Sequence, residues 1–64
     1  MDDSDIYRTA RQMIEQHGDK AVERATMNLD LMKKKNDMDG LAVWLRVIQA
    51  IKGMENDKPE RVVH

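Results

Sequence analysis

The apolar side chains of this chain fall into three blocks that are separated by short polar breaks. The first two blocks each repeat an apolar residue every three or four positions, which is the spacing of one helix face. In the first block these residues are Ile6, Ala10, Met13 and Ile14, with Tyr7 on the flank. In the second block they are Ala21, Val22, Ala25, Leu29 and Met32. The two patterns predict helices over about 5–17 and 20–35.

The third block, residues 37–54, is the most apolar and holds the only Trp. On a helix its large apolar side chains span an arc of roughly 200°, whereas a surface helix needs only about 100°. Those side chains are Leu41, Val43, Trp44, Leu45, Val47, Ile48, Ile51 and Met54. The pattern predicts a helix over about 38–54 that ends near Gly53 and must be covered on two sides.

Capping residues stand at the breaks between the blocks. Gly18 is expected to stop the first helix in the left-handed conformation, which glycine adopts most readily. Ser4, or Asp3 in its place, is the expected N-cap of the first helix, and Asp19 and Asp37 are those of the second and third. The short breaks predict antiparallel neighbours.

The chain is therefore predicted to be an all-α protein with one three-helix domain at 1–54. Residues 55–64 are polar and contain the only proline, Pro59, so we expect a flexible tail. A 64-residue chain buries a small core, and this one has no Cys for a disulfide or a thiolate metal site. Oligomerisation is the remaining common aid to stability.

We expect a homodimer that covers the outer side of the third helix. Helices one and two offer mostly Ala, Met and single branched residues to cover it. The candidate interface residues are Met27, Leu31, Leu41, Trp44, Leu45 and Ile48. The alternative is that the tail folds back through Val62 and Val63.

Charge and hydropathy limit the partners and the cellular location that we expect for the chain. The formal net charge is -1 with both signs mixed, so no large field of one sign would attract nucleic acid or a membrane surface. No apolar run reaches the roughly 18 residues of a membrane span, and the N-terminus is acidic where a signal peptide is basic. We expect a soluble, cytoplasmic protein.

Two features that resemble functional sites are better explained as structural parts of the fold, a turn and a helix end. Residues 35–46 align with a calcium loop, but Lys35 and Arg46 would occupy its first and last ligand positions. His17 stands at the end of a helix, where it favours the helix dipole, and no nucleophile or second base has a recognisable spacing to it. We therefore expect no enzyme activity, no metal and no cofactor.

The second and third helices also resemble a helix-turn-helix in outline. A recognition helix needs exposed polar side chains at its start, and this one has Leu41, Ala42, Trp44 and Leu45. The three lysines at 33–35 could contact phosphate, but they are more simply a solvated helix end. Nucleic acid is not the expected partner.

Residues 5–10, 16–21 and 43–48 resemble a family of short uncharacterised bacterial helical proteins, which share a His-Gly-Asp turn after the first helix and a Trp-containing last helix. Here the turn is His17-Gly18-Asp19 and the Trp is Trp44. The resemblance covers about residues 5–54 and implies a bacterial cytoplasmic origin, but no activity.

The leading expectation is a non-enzymatic interaction or regulatory protein that acts through a helical apolar surface. Two alternatives stay open. One is a nucleic-acid-binding regulator on a dimeric helical scaffold. The other is a small inhibitor of a larger bacterial or phage protein.

Overall fold

The computed structural model describes residues 3–56, and helices account for nearly all of them. Helix α1 is Asp3–His17, α2 is Ala21–Lys35 and α3 is Met38–Asn56. A 3-10 turn, Gly18–Lys20, joins α1 to α2. Within residues 3–56 there is no strand, so the prediction of an all-α fold is confirmed.

The core lies where all three helices meet. The buried apolar residues are Ile6, Ala10, Met13, Ala21, Ala25, Val47, Ile48 and Ile51. Helix α2 buries only alanines completely, and these small side chains let its neighbours approach closely. Helix α3 supplies the branched side chains that fill the space between them, and it contacts both α1 and α2. Helices α1 and α2 thus cover the inner face of α3, and the expected cover on its outer side stays a prediction.

The start of α1 lies beside the C-terminal half of α3. Asp3, Ile6 and Tyr7 line an open groove together with residues on the last turns of α3, among them Gly53 and Met54. The end of α1 lies instead beside the first half of α2. Helix α1 therefore ties the end of α3 to the start of α2.

The junction between α1 and α2 was only partly predicted. Gly18 has a φ of +56° and ends α1 in the left-handed conformation, as expected. Asp19, however, is not the N-cap of α2, because α2 begins at Ala21 and no side chain caps it. The intervening residues form the 3-10 turn, in which the Ala21 N–H donates to the Gly18 carbonyl. This backbone hydrogen bond satisfies an N–H group at the start of α2, which is the role we expected the Asp19 carboxylate to have.

The start of α1 also differs from the prediction. The helix already includes Asp3, so Ser4 lies in its first turn and neither residue is the cap outside the helix. Both side chains are exposed there. Asp3 still suits this position, since a carboxylate favours the positive end of the helix dipole.

The turn between α2 and α3 is held by two interlocking caps. Asn36, at a φ of +62°, ends α2, and its N–H donates to the Lys33 carbonyl at 3.1 Å. The Asp37 N–H reaches back to the Met32 carbonyl at 2.9 Å, which completes a Schellman motif. The Asp37 carboxylate then accepts the Gly40 N–H at 2.9 Å and caps α3. The predicted Asn36-Asp37 turn and Asp37 cap are confirmed.

Gly53 does not end α3, contrary to the prediction. The helix continues to Asn56, and Gly53 is not among the glycines with positive φ. Met54, one residue later, packs against the core. Residues 55 and 56 therefore belong to α3 and not to a tail. Residues 57–64, including Pro59, Val62 and Val63, lie outside the described part of the chain.

The same substitution at two glycines is expected to have opposite effects on stability. Neither Gly18 nor Gly53 has a neighbour within 4 Å of where a Cβ would stand, so steric contact does not distinguish them. Gly18→Ala should lower the free energy of unfolding by about 1–2 kcal/mol, because alanine disfavours the left-handed conformation. Gly53→Ala should raise it by about 0.5–1 kcal/mol, the helix preference of alanine over glycine. Urea denaturation followed by circular dichroism measures both, and a loss of stability at Gly53 would contradict its place inside α3.

Candidate interaction surface on α3

The outer side of α3 carries an exposed line of apolar side chains near its start. Met38, Leu41 and Leu45 follow one another at three- and four-residue steps, so they lie on one face of the helix. Met38 is 68% exposed and Leu45 is 46% exposed, while Leu41 is half-buried. We call Met38, Leu41 and Leu45 the α3 surface. A single copy of the chain leaves much of this apolar surface in water.

Two of the predicted interface residues belong mainly to the core. Ile48 is only 9% exposed and is one of the buried residues, so it cannot present a surface to a partner. Trp44 is half-buried and packs against the core. The reason is their position on α3, since both lie on the same side of the helix as the buried Ile51. The indole is therefore partly covered within one chain, and its burial gives a weaker reason for association than we expected.

Met27 and Leu31 form a separate surface on α2. They are 54% and 48% exposed and lie one helical turn apart. Met27 lines an open groove with residues of α1, among them Met13 and His17. This α2 surface, Met27 and Leu31, therefore adjoins α1 at Met27. Of the six predicted interface residues, two thus lie on α2 and four on α3.

Met38 was absent from the predicted interface although it is the most exposed large apolar residue among residues 3–56. The sequence did contain a signal for it. Met38 precedes Leu41 by three positions and Leu45 by seven, which is the helical spacing used to identify the other stripes. The Asp37 cap makes Met38 the first residue of α3, so this spacing applies from the start of the helix.

Charged residues stand at both ends of the α3 surface. Asp37 and Asp39 flank Met38, and the three exposed lysines at 33–35 end α2 just before them. At the other end, the exposed Lys52 lies seven residues after Leu45, close to the same line of the helix. Glu55 follows Lys52 by three residues, about one helical turn, and is half-buried. The surface is thus apolar near its middle and start, and both ends carry both signs of charge.

The possible metal ligands among residues 3–56 do not come together in the fold. Within residues 3–56 no group of three or more His, Cys, Asp or Glu is placed to hold a metal ion. His17 is half-buried at the end of α1, where it lines the groove with Met13 and Arg24. No helix in the same part of the chain is long and apolar enough to cross a membrane.

No family model, curated protein or solved structure matches this chain. The resemblance to short bacterial helical proteins therefore stays a prediction. Any function has to be argued from the surfaces described above.

Proposed function

We propose that this protein is a non-enzymatic interaction or regulatory protein, that the α3 surface is its binding surface, and that it self-associates through it. The observation that supports the proposal is the exposure of Met38 and Leu45 on one face of α3. A contiguous exposed apolar patch of several hundred square ångströms often marks an interaction site, and the line of Met38, Leu41 and Leu45 is where such a patch would lie on this chain.

The size of the expected gain favours association. Burying one leucine or methionine side chain contributes about 1.5–3 kcal/mol. In a symmetric dimer each residue of the α3 surface is buried twice, once in each copy. Because Met38 and Leu45 are 68% and 46% exposed, a dimer buries only that part of each side chain. The gain then offsets a part of the entropy lost on association, which is roughly 4–15 kcal/mol.

The same surface favours protein over nucleic acid as the partner. A helix that reads base edges presents polar side chains near its start. The outward side chains near the start of α3 include Met38 and Leu45, and the lysines at 33–35 stand beside Asp37 and Asp39. An apolar helix face fits another helix better than it fits a DNA groove.

Leu45→Asp is expected to weaken self-association by on the order of tenfold or more, because each copy would place a carboxylate in an apolar interface. Sedimentation equilibrium from micromolar to submillimolar concentration measures the dissociation constant. Leu45 is half exposed, so the variant should keep its helix content by circular dichroism.

Leu31→Asp is the matched control, because Leu31 has almost the same exposure, 48% against 46%, but lies on the α2 surface. It should leave the dissociation constant nearly unchanged. An unmodified chain that stays monomeric throughout this range, with full helix content, would refute self-association. A stronger effect of Leu31→Asp than of Leu45→Asp would move the interface to α2.

A further inference from the structure

We infer that Met32 is a site of reversible oxidation, at which hydrogen peroxide converts the thioether into a sulfoxide and weakens the turn between α2 and α3. Met32 lies in the last turn of α2, is half-buried, and is not one of the half-buried side chains that pack against the core. Solvent therefore reaches this side chain while the chain is folded. Met32 is outside the α3 surface, so its oxidation does not depend on what binds there.

The Met32 side chain lies against Gly40, in the first turn of α3. A Cβ built on Gly40 would stand 2.5 Å from the Met32 Sδ and 3.0 Å from its Cγ, and the first of these distances is shorter than Cβ contacts in folded proteins. A side chain at position 40 would therefore displace the thioether, and glycine leaves room for it. This contact joins the end of α2 to the start of α3 across the turn.

The Asp37 carboxylate shares this space with the sulfur. Its Oδ1 accepts the Gly40 N–H at 2.9 Å, and the Asp37 N–H donates to the Met32 carbonyl at 2.9 Å. The second carboxylate oxygen, Oδ2, would stand 2.8 Å from the same Gly40 Cβ position that the sulfur approaches. The thioether and a carboxylate oxygen thus lie on the same side of Gly40, next to each other.

Oxidation of the thioether places a polar atom in this contact. The sulfur attacks one oxygen of hydrogen peroxide, the O–O bond breaks, and the products are a sulfoxide and one molecule of water. The sulfur loses two electrons and the peroxide gains them. A sulfoxide oxygen carries partial negative charge and accepts hydrogen bonds, but its neighbour, Asp37 Oδ2, is also a negative acceptor. The oxidised side chain then has to leave Gly40 or displace the cap of α3, and reduction of the sulfoxide by a methionine sulfoxide reductase reverses the change.

The other methionines among residues 3–56 stand in different surroundings. Met27 and Met38 are 54% and 68% exposed, so a sulfoxide there can point into water. Met13 is buried in the core and Met54 packs against it, so their oxidation would disturb the packing of the helices and not this turn in particular. Met32 is the methionine whose oxidation acts on the turn itself.

Mild peroxide treatment of the folded chain tests the inference, with mass spectrometry of its fragments to locate each sulfoxide. Oxidation should lower the melting temperature by about 4–8 °C, the shift expected when a domain of this size loses one such contact. Methionine sulfoxide reductase should restore it. Trypsin should also cut the oxidised chain faster after the exposed lysines at 33–35, which adjoin the turn, and no faster after the exposed Lys52 in α3.

Met32→Leu is the decisive variant, because leucine has nearly the same volume and forms no sulfoxide. Peroxide should leave its melting temperature and its cleavage at 33–35 unchanged, whereas Met38→Leu should show the full effect. The double variant Met27→Leu with Met38→Leu keeps Met32 and should also show the full effect, which tests the same point if Met32→Leu does not fold.

Three results would overturn the inference. The first is an equal fall in melting temperature in Met32→Leu and in the unmodified chain, which would assign the effect to the core methionines. The second is a sulfoxide at Met32 that changes neither the melting temperature nor the cleavage at 33–35. The third is that no sulfoxide forms at Met32 while the chain stays folded.

Discussion

Replacing Ile51 by alanine is expected to lower the free energy of unfolding by about 2–5 kcal/mol, the usual cost of truncating a fully buried isoleucine. Ile51 is 0% exposed and is one of the two largest side chains that are completely buried among residues 3–56. Helix α2 buries only alanines completely and leaves little bulk to close the cavity. A chain of this size has a total stability of roughly 3–10 kcal/mol, so the variant should lose a large fraction of it and unfold at a much lower urea concentration.

Urea denaturation followed by circular dichroism measures this loss. Ile51→Val should cost only about 0.5–1.5 kcal/mol, because it removes one methylene and leaves a smaller cavity. Leu31→Ala is the matched surface control, since Leu31 is 48% exposed and its truncation opens no cavity. All variants must be compared at one protein concentration, because dimerisation adds to the apparent stability. Equal losses for Ile51→Ala and Leu31→Ala would contradict the position of the core.

Helical periodicity predicted the inner faces of α1 and α2 well. The buried Ile6, Ala10 and Met13 lie on the stripe predicted for the first helix, and Ala21 and Ala25 lie on that predicted for the second. These stripes are narrow, so the sequence leaves only one face of each helix to bury. The turn at Asn36-Asp37 was also predictable, because the residue types there have strong preferences for the left-handed conformation and the N-cap.

Of the three helix boundaries that differ from the prediction, the start of α2 and the end of α3 differ because local signals compete with packing and with backbone hydrogen bonds. A glycine ends a helix when the chain turns away from it, as it does at Gly18. At Gly53 the helix continues, and Met54 just beyond it packs against the core. Sequence alone does not show which of these applies. Asp19 is not the N-cap of α2, because the Gly18 carbonyl of the 3-10 turn already accepts the Ala21 N–H at the start of that helix.

The sequence pattern of α3 places Met38, Leu41 and Leu45 on one line of the helix, but it does not show which part of the wide apolar arc is exposed. The apolar arc is so wide that several residues could equally face the core or the solvent. The positions of α1 and α2 determine which side chains of α3 are exposed. In the packed helices Ile48 is buried, Trp44 is half-buried and Leu45 is half exposed. The excess of apolar surface was predictable, but its location depends on the angles between helices, which the spacing of residues does not encode.

Ala25→Leu is expected to destabilise the chain by at least about 1–3 kcal/mol, and by more if the helices must move apart. Ala25 is 0% exposed on α2, in the middle of the buried cluster, where a methyl group is all that the close approach of the helices allows. An isobutyl group there has to displace α1 or α3, because the side chains around it are already packed. The loss should appear as a lower melting temperature and a lower urea midpoint.

Ala42→Leu makes the same chemical change at an exposed position on α3, beside Met38 and Leu45, and should leave the stability unchanged or increase it at a protein concentration low enough to keep the chain monomeric. The comparison separates crowding in the core from the small difference in helix propensity between alanine and leucine, which is the same at both positions. If Ala25→Leu were as stable as the unmodified chain, the alanines of α2 would not be what limits the approach of its neighbours. The tight contact between the helices would then have to come from their turns, at Gly18 and at Asn36-Asp37.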